Sequence, residues 1–291
     1  MGSTALQLFL SGIGTGSIYA LIAVGFNVIF KSTGALNFAQ GEWVMLGGMT
    51  AATAFATQIG LLPAVAVALL VACGVGIVSE RLVIAPLRAS TPMLITLISI
   101  GLAICTKSAV MLTLGKNPAG YPGFSGDAIF HLWGASIPMQ TLWIIGITAV
   151  FMVLTHLFFE HTVVGKALRA VAADREAASL VGINVQHAVL WSFAFGALAG
   201  GLAGVIITPL TFTSYDQGTL LGFKGFCAAM LGGVGNIYGA VLGGLLLGLL
   251  EAFAAGYLTS HFKDAVAFIV LLAILFGRPS GLLGRADIEK V

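Results

Sequence analysis

The chain has 291 residues, of which 58% are hydrophobic and only 8% charged, and its net charge is +2. Soluble domains carry roughly 25% charged residues, so a water-soluble enzyme or a nucleic-acid-binding protein is excluded and an all-α, polytopic membrane protein is expected. Mean hydropathy is +1.05, and the apolar stretches are continuous rather than alternating, which excludes a transmembrane β-barrel.

Nine apolar segments follow one another, each near the ~20 residues that a helix needs to cross a ~30 Å hydrocarbon core. They cover residues 6–30, 36–56, 62–79, 93–114, 141–159, 188–207, 219–234, 238–253 and 262–276. Merging or splitting the weaker ones, around Glu42 and between 219 and 256, gives a count from eight to ten. No basic residue precedes the first segment, so it reads as a retained helix rather than a cleavable signal. Lys31 follows segment one, Arg81 and Arg88 follow segment three, and Lys166, Arg169 and Arg175 follow segment five. Arg278, Arg285 and Lys290 follow segment nine. These ends alternate as the positive-inside rule requires. The N-terminus is then outside and the C-terminus cytoplasmic. Residues 115–138, rich in Gly, Pro and aromatics, suit an external loop.

Four ionisable residues fall within apolar segments: Glu42, Lys107, Lys224 and Glu251. Such residues are functional candidates by default. The plainer readings are that Lys107 and Lys224 snorkel or lie at an interface and that Glu251 approaches the outer surface. Glu42 closes a polar run that contains Asn37 and Gln40, and either a structural polar network or a pathway lining fits it. The three cysteines lack metal spacing and read as small buried residues. No metal site, phosphate loop or nucleophile constellation is visible, so the chain itself hydrolyses nothing and holds no cofactor.

Glycine is abundant, with 39 residues. Gly196, Gly200 and Gly204, and then Gly235, Gly239 and Gly243, recur at i+4, the spacing by which small residues let membrane helices approach closely. Gly232, Gly233 and Gly235 with Asn236 read instead as a helix break, which is tolerated only against protein or a water-filled path. Met45-Leu46-Gly47-Gly48 is echoed by Met230-Leu231-Gly232-Gly233, a weak internal repeat of the kind from which transporters are built. On this basis the segment 37–42 and the segment 232–238 are expected to meet beside the pathway.

Residues 160–187 form the one sizeable polar stretch. The run from 165 to 182 is rich in helix formers and Gly182 is a plausible stop. A single short helix is expected, with Arg169 and Glu176 seven residues apart on one face and Ala173 between them.

Glu176-Ala177-Ala178, followed four residues on by Gly182, resembles the "EAA" loop of bacterial ABC-importer permeases. The wider pattern resembles the branched-chain amino acid permease family of the LivH and ribose-permease type. It is carried by Gly34-Ala35-Leu36-Asn37-Phe38-Ala39-Gln40-Gly41-Glu42, by the stretches 165–184 and 226–244, and by Arg278-Pro279-Ser280-Gly281-Leu282-Leu283-Gly284. The resemblance implies one transmembrane permease domain over 1–291, with 160–187 as the cytoplasmic coupling loop and 115–138 periplasmic. It implies a bacterial inner-membrane importer with a second, LivM-type permease, two ATPase subunits that hold ATP and Mg, and a periplasmic solute-binding protein. The solute would be a branched-chain or related amino acid. Alternative readings are a urea or short-amide permease, a self-sufficient channel or secondary transporter, and a structural membrane subunit with no solute path.

Overall fold

The computed structural model describes residues 2–87, 90–257, 263–278 and 280–284. Among these residues, α1 (Gly2–Thr33), α2 (Gln40–Ala56), α3 (Leu61–Ser79), α4 (Pro92–Thr113) and α5 (Met139–His161) are followed by two link helices, α6 (Val163–Ala173) and α7 (Arg175–Leu180). The chain continues through α8 (Val185–Thr211), α9 (Gln217–Gly232), α10 (Ile237–Tyr257) and α11 (Lys263–Gly277). Each of the nine apolar segments is a helix. Arg88, Pro279, Arg285 and Lys290 lie outside the described residues, as does the start of the ninth segment.

Among the described residues, six helices are long and apolar enough to cross a membrane: α1, α3, α4, α5, α8 and α10. The other three have 17, 16 and 15 residues. A helix of that length extends about 25 Å, short of the hydrocarbon core. In α2 and α9 the shortfall is tolerated because protein surrounds most of their length.

The core is a set of glycine seams around α1. A Cβ on Gly248 would lie 2.3 Å from the Gly16 amide, and one on Gly244 2.4 Å from that of Ala20, so α1 and α10 touch backbone to backbone. On α8, a Cβ on Gly204 would lie 1.8 Å from the Val44 carbonyl oxygen. The Gly196, Gly200 and Gly204 stripe therefore seats α2, while Gly239 and Gly243 seat α10 on α9. Close packing of this kind replaces the hydrophobic drive that lipid cannot supply. The outer helices α3, α4 and α5 instead expose Leu70, Val78, Ile104, Leu112, Val150 and Val153. Cys105 is exposed on α4, against the expectation that all three cysteines are buried.

Among the described residues the helical bundle carries one small sheet. Residues 115–138 form β1 (Phe124–Asp127), β2 (Ile129–Leu132) and β3 (Ala135–Pro138). Strands β2 and β3 pair antiparallel around Trp133 and Gly134, both with positive φ, the geometry of a two-residue hairpin turn. Gln140 at the start of α5 ties this region down: its Oε1 accepts from the Phe124 amide at 3.0 Å and its Nε2 donates to the Ile206 carbonyl at 2.9 Å. The bundle thus has a hairpin end and, at the far end of α5, a link end.

Candidate functional site

The first break lies between α1 and α2. Gln40 packs on Gly25 of α1 and donates from Nε2 to the Gly196 carbonyl of α8 at 2.9 Å. Since α1 continues from Gly25 to Thr33, about 12 Å further, α2 begins inside the bundle and not at its surface. The turn that doubles back is held by α4. The Leu36 amide donates to Thr96 Oγ1 at 3.2 Å and the Phe38 amide to Ser99 Oγ at 3.0 Å, which meets backbone groups that lipid could not. Asn37 Oδ1 accepts from the Ala39 amide.

The first turn of α2 sits on the first turn of α9. A Cβ on Gly41 would lie 2.3 Å from the Gly218 carbonyl oxygen and 2.6 Å from the Gly222 Cα. Glu42, 2% exposed, accepts from the Thr219 hydroxyl at 2.8 Å. Asn37 Nδ2, Gln40 Oε1, Glu42 Oε2 and Trp43 Nε1 are buried without a protein partner. Each such group costs about 1–3 kcal/mol unless something else meets it. Thr219, Leu220 and Phe223 are exposed on α9 beside this turn. Phe38 stands against Phe223 and Phe226, with ring centroids 6.2 and 5.8 Å apart. Lys107 of α4, partly exposed, lies over the Tyr215 ring at 5.6 Å. Asp216, just before α9, is held below the usual carboxylate range by the Ser214 hydroxyl.

The second break, between α9 and α10, is built differently. Gly233 and Gly235 take φ of +108° and +80°, where a side chain would be strained. Asn27, fully buried in α1, holds this turn with both ends of its amide. Its Nδ2 donates to the carbonyls of Gly233 (3.2 Å) and Asn236 (2.9 Å), and its Oδ1 accepts from the Gly235 amide (3.1 Å). Asn236 caps α10 by accepting from the Gly239 amide and donates to the Leu283 carbonyl at 2.8 Å. The amides of Leu282 and Leu283 donate to the carbonyls of Leu231 and Gly232, so the C-terminal motif satisfies the last carbonyls of α9. Gly232 itself is packed on Gly239. The two breaks lie at opposite ends of α9 and do not meet. The sequence expectation fails because α9 runs continuously between them.

The polar link is two helices, not one. Asp174 ends α6 and caps α7, its Oδ1 accepting from the Glu176 and Ala177 amides at 2.9 Å each. This puts Arg169 and Glu176 on different helices, with Ala173 the last residue of α6. Arg169 pairs instead with Glu160 of α5, one guanidinium nitrogen lying 2.8 Å from each carboxylate oxygen. The Gly182 stop is as expected. At φ +86°, its amide donates to the Ser179 carbonyl and that of Ile183 to the Ala178 carbonyl, the Schellman arrangement. Gly165 lets α6 abut α5, since a Cβ there would lie 2.2 Å from the Phe158 carbonyl oxygen. Ala178 is buried while Glu176 and Ala177 are exposed. Leu180 and Val181 are 87% and 76% exposed.

Two groups read as snorkelling or superficial are interior. Lys224 and Glu251 form an ion pair at 2.9 Å, their side chains 6% and 0% exposed, and the Tyr19 hydroxyl donates to Glu251 at 2.6 Å. They join α1, α9 and α10. Sequence reasoning missed this pairing and also missed Asn27, whose one available signal was a lone amide inside a long apolar run.

The family model described as "Branched-chain amino acid transport system / permease component" matches residues 8–275. Over 98% of its length the chain is 35% identical to BraD of Pseudomonas aeruginosa, a high-affinity branched-chain amino acid transport permease, covering 98% of it. It is also 35% identical to LivH of Salmonella typhimurium over 98% of this chain and 97% of that one. The ribose import permease RbsC of Escherichia coli is 27% identical over 89% of this chain and 82% of its own length. The glycine-seamed helical bundle and this likeness along nearly the whole chain agree: the protein belongs to the family of permease components of branched-chain amino acid transport systems.

Proposed function

We propose that this chain is a permease subunit of an inner-membrane ABC importer, carrying a branched-chain or related amino acid inward under the drive of separate ATPase subunits. ATP and Mg belong to those subunits, and the chain pairs with a second permease and receives solute from a periplasmic binding protein. The placement of Lys and Arg supports a cytoplasmic link end and a periplasmic position for residues 115–138.

The observation that carries this reading is the link. Helices α6 and α7 carry Lys166, Arg169, Arg175 and Glu176, and Leu180 and Val181 are largely exposed at their tip, next to Glu176 and the Gly182 stop. Apolar side chains displayed this way on a capped, rigid element fit a cleft in another protein. Seated in an ATPase, α7 would move as a body with α6, and Gly165 and the Arg169–Glu160 pair would pass that movement to α5. The partner must grip the link differently in its two nucleotide states, because equal affinity would shift nothing.

Solute passes, on this reading, along the face that exposes Thr219, Leu220 and Phe223 over the first turn of α2. Aromatic and aliphatic groups there suit an apolar side chain. Behind this face Asn37, Gln40 and Glu42 keep buried polar atoms without a protein partner, which supports the reading. The likeness to BraD and LivH favours branched-chain amino acids over the ribose of the more distant relative.

The test is reconstitution of the full importer in vesicles with Leu180→Asp, Glu176→Lys or Gly182→Val. Uncoupled ATP hydrolysis and lost uptake with normal insertion are expected. Normal solute-stimulated hydrolysis and uptake in all three would overturn the proposal.

A further inference from the structure

Asp216, Thr219, Leu220 and Phe223 are all exposed. They recur at i, i+3, i+4 and i+7, the spacing that lines residues up along one side of a helix. This side of α9 therefore runs from a carboxylate through a hydroxyl to an aliphatic and an aromatic side chain, and Phe38 closes its far end, ring to ring with Phe223 at 6.2 Å. Lys107 of α4 reaches over Tyr215, the neighbour of Asp216. Its charge acts on both Glu42 and Asp216, yet it forms no ion pair among the described residues. Thr219 has a set polarity. It gives its hydrogen to Glu42 Oε1 at 2.8 Å, so only the lone pairs of its oxygen remain for a ligand. Because Gly41 packs on Gly218 and Gly222, Asp216 and Thr219 lie close to the depth at which α2 begins, inside the bundle. Ionisable groups at such depth are costly and mark routes for polar solutes.

Resting on the reading that solute follows this face, we propose that it holds the solute as a zwitterion: carboxylate at Lys107, ammonium at Asp216 and the Thr219 oxygen, side chain along Leu220 and Phe223. An α-amino acid carries its two opposite charges on one carbon, and Lys107 with Asp216 offers two opposite charges close together. Charge-assisted hydrogen bonds of this kind are about twice as strong as neutral ones. Thr219 can only accept, which suits an ammonium and not a carboxylate. A urea, a short amide or a sugar presents no such pair of charges, so the arrangement favours an α-amino acid over each of them. The apolar end of the stripe then selects among amino acids, since Leu220, Phe223 and Phe38 offer a polar side chain no partner. Glu42 serves the site only by orienting Thr219, a task that Glu42→Gln preserves.

The experiment measures equilibrium binding of labelled leucine, leucinamide and isocaproate to the assembled permease–ATPase complex in lipid nanodiscs, with the solute-binding protein omitted. Leucinamide lacks the carboxylate and isocaproate lacks the ammonium. The unaltered complex should bind leucine about tenfold more tightly than either, the worth of one hydrogen bond to a charged group. Lys107→Met should weaken leucine about tenfold and leave leucinamide unchanged. Asp216→Asn should weaken leucine and leucinamide and leave isocaproate unchanged. Equal weakening of all three ligands would mean general damage and would overturn the proposal. So would undiminished leucine binding by either variant, or loss of the second permease from the Lys107→Met complex, because Lys107 would then serve that contact. An unaltered complex that imports leucine without this end-by-end pattern overturns the zwitterion site alone, whereas one that imports no amino acid overturns the importer reading as well.

Discussion

The turn before α2 and the turn after α9 are both interruptions of apolar helices, yet they meet their polar groups in opposite ways. Around Gly232–Asn236 the freed groups are met from the protein: Asn27 supplies three hydrogen bonds, Asn236 caps α10, and Leu282 and Leu283 close the end of α9. Around Asn37–Trp43 the backbone is held by Thr96 and Ser99, but four buried side-chain atoms have no protein partner. Native proteins rarely keep such atoms without a reason. On the proposed reading, the break that is fully satisfied serves the fold and the one that is left open serves the solute.

Asn27→Leu should give the largest effect on the satisfied side. It strands the Gly235 amide, at about 1–3 kcal/mol, and takes one hydrogen bond, about 1 kcal/mol, from each of the Gly233 and Asn236 carbonyls, which keep those from the Asn236 and Ala240 amides. A loss of about 4 kcal/mol or more is expected, seen as a collapse of folded yield and melting temperature in detergent. Wild-type stability would mean that the second break is not clasped as described. Lys224→Met leaves the Glu251 carboxylate buried without its cation and should cost about 3–4 kcal/mol. The double variant with Glu251→Met should recover most of it in the same thermal assay. If the double variant is no better than the single one, the pair is not the unit that ties α9 to α10.

Smaller effects sharpen the comparison at the link. Asp174→Ala removes the cap of α7 and should cost about 1 kcal/mol locally, with little change in global melting. Hydrogen exchange at Glu176 and Ala177 should rise, and protection unchanged there would contradict the two-helix link. Smallest in energy is the topology test. A cysteine in 120–136 should label from the periplasm, and one in 170–179 only once the membrane is opened. The reverse pattern would invert the proposed orientation.

Much of the fold was legible because its signals are local. Apolar length alone located the nine apolar helices, six of them long enough to cross a membrane, the i+4 glycines marked the seams, and Gly182 marked the end of α7. What was hidden is long-range. Asn27 meets residues more than two hundred positions away, and Lys224 meets Glu251 on a different helix, so neither partner shows in a local window. Periodicity could not help either, because α1 is apolar all round and is buried on every side over residues 16–29. Asp174 split the predicted single helix for a local reason that the run of helix formers masked: a side chain that accepts from the next two free amides caps a new helix better than it continues an old one. The first-turn contact of α2 with α9 depends on how deep α2 begins, which composition does not encode.

The most direct test of the comparison is amino-acid uptake by the reconstituted importer carrying Glu42→Gln or Glu42→Leu, at matched amounts of assembled complex and with melting temperature recorded. Glu42→Gln keeps an acceptor for Thr219 and should lose little. Glu42→Leu removes it from the open break and should abolish most leucine uptake while changing stability far less than Asn27→Leu does. Full uptake by Glu42→Leu, or a fall in uptake that merely follows a fall in stability, would contradict the assignment of function to the first break.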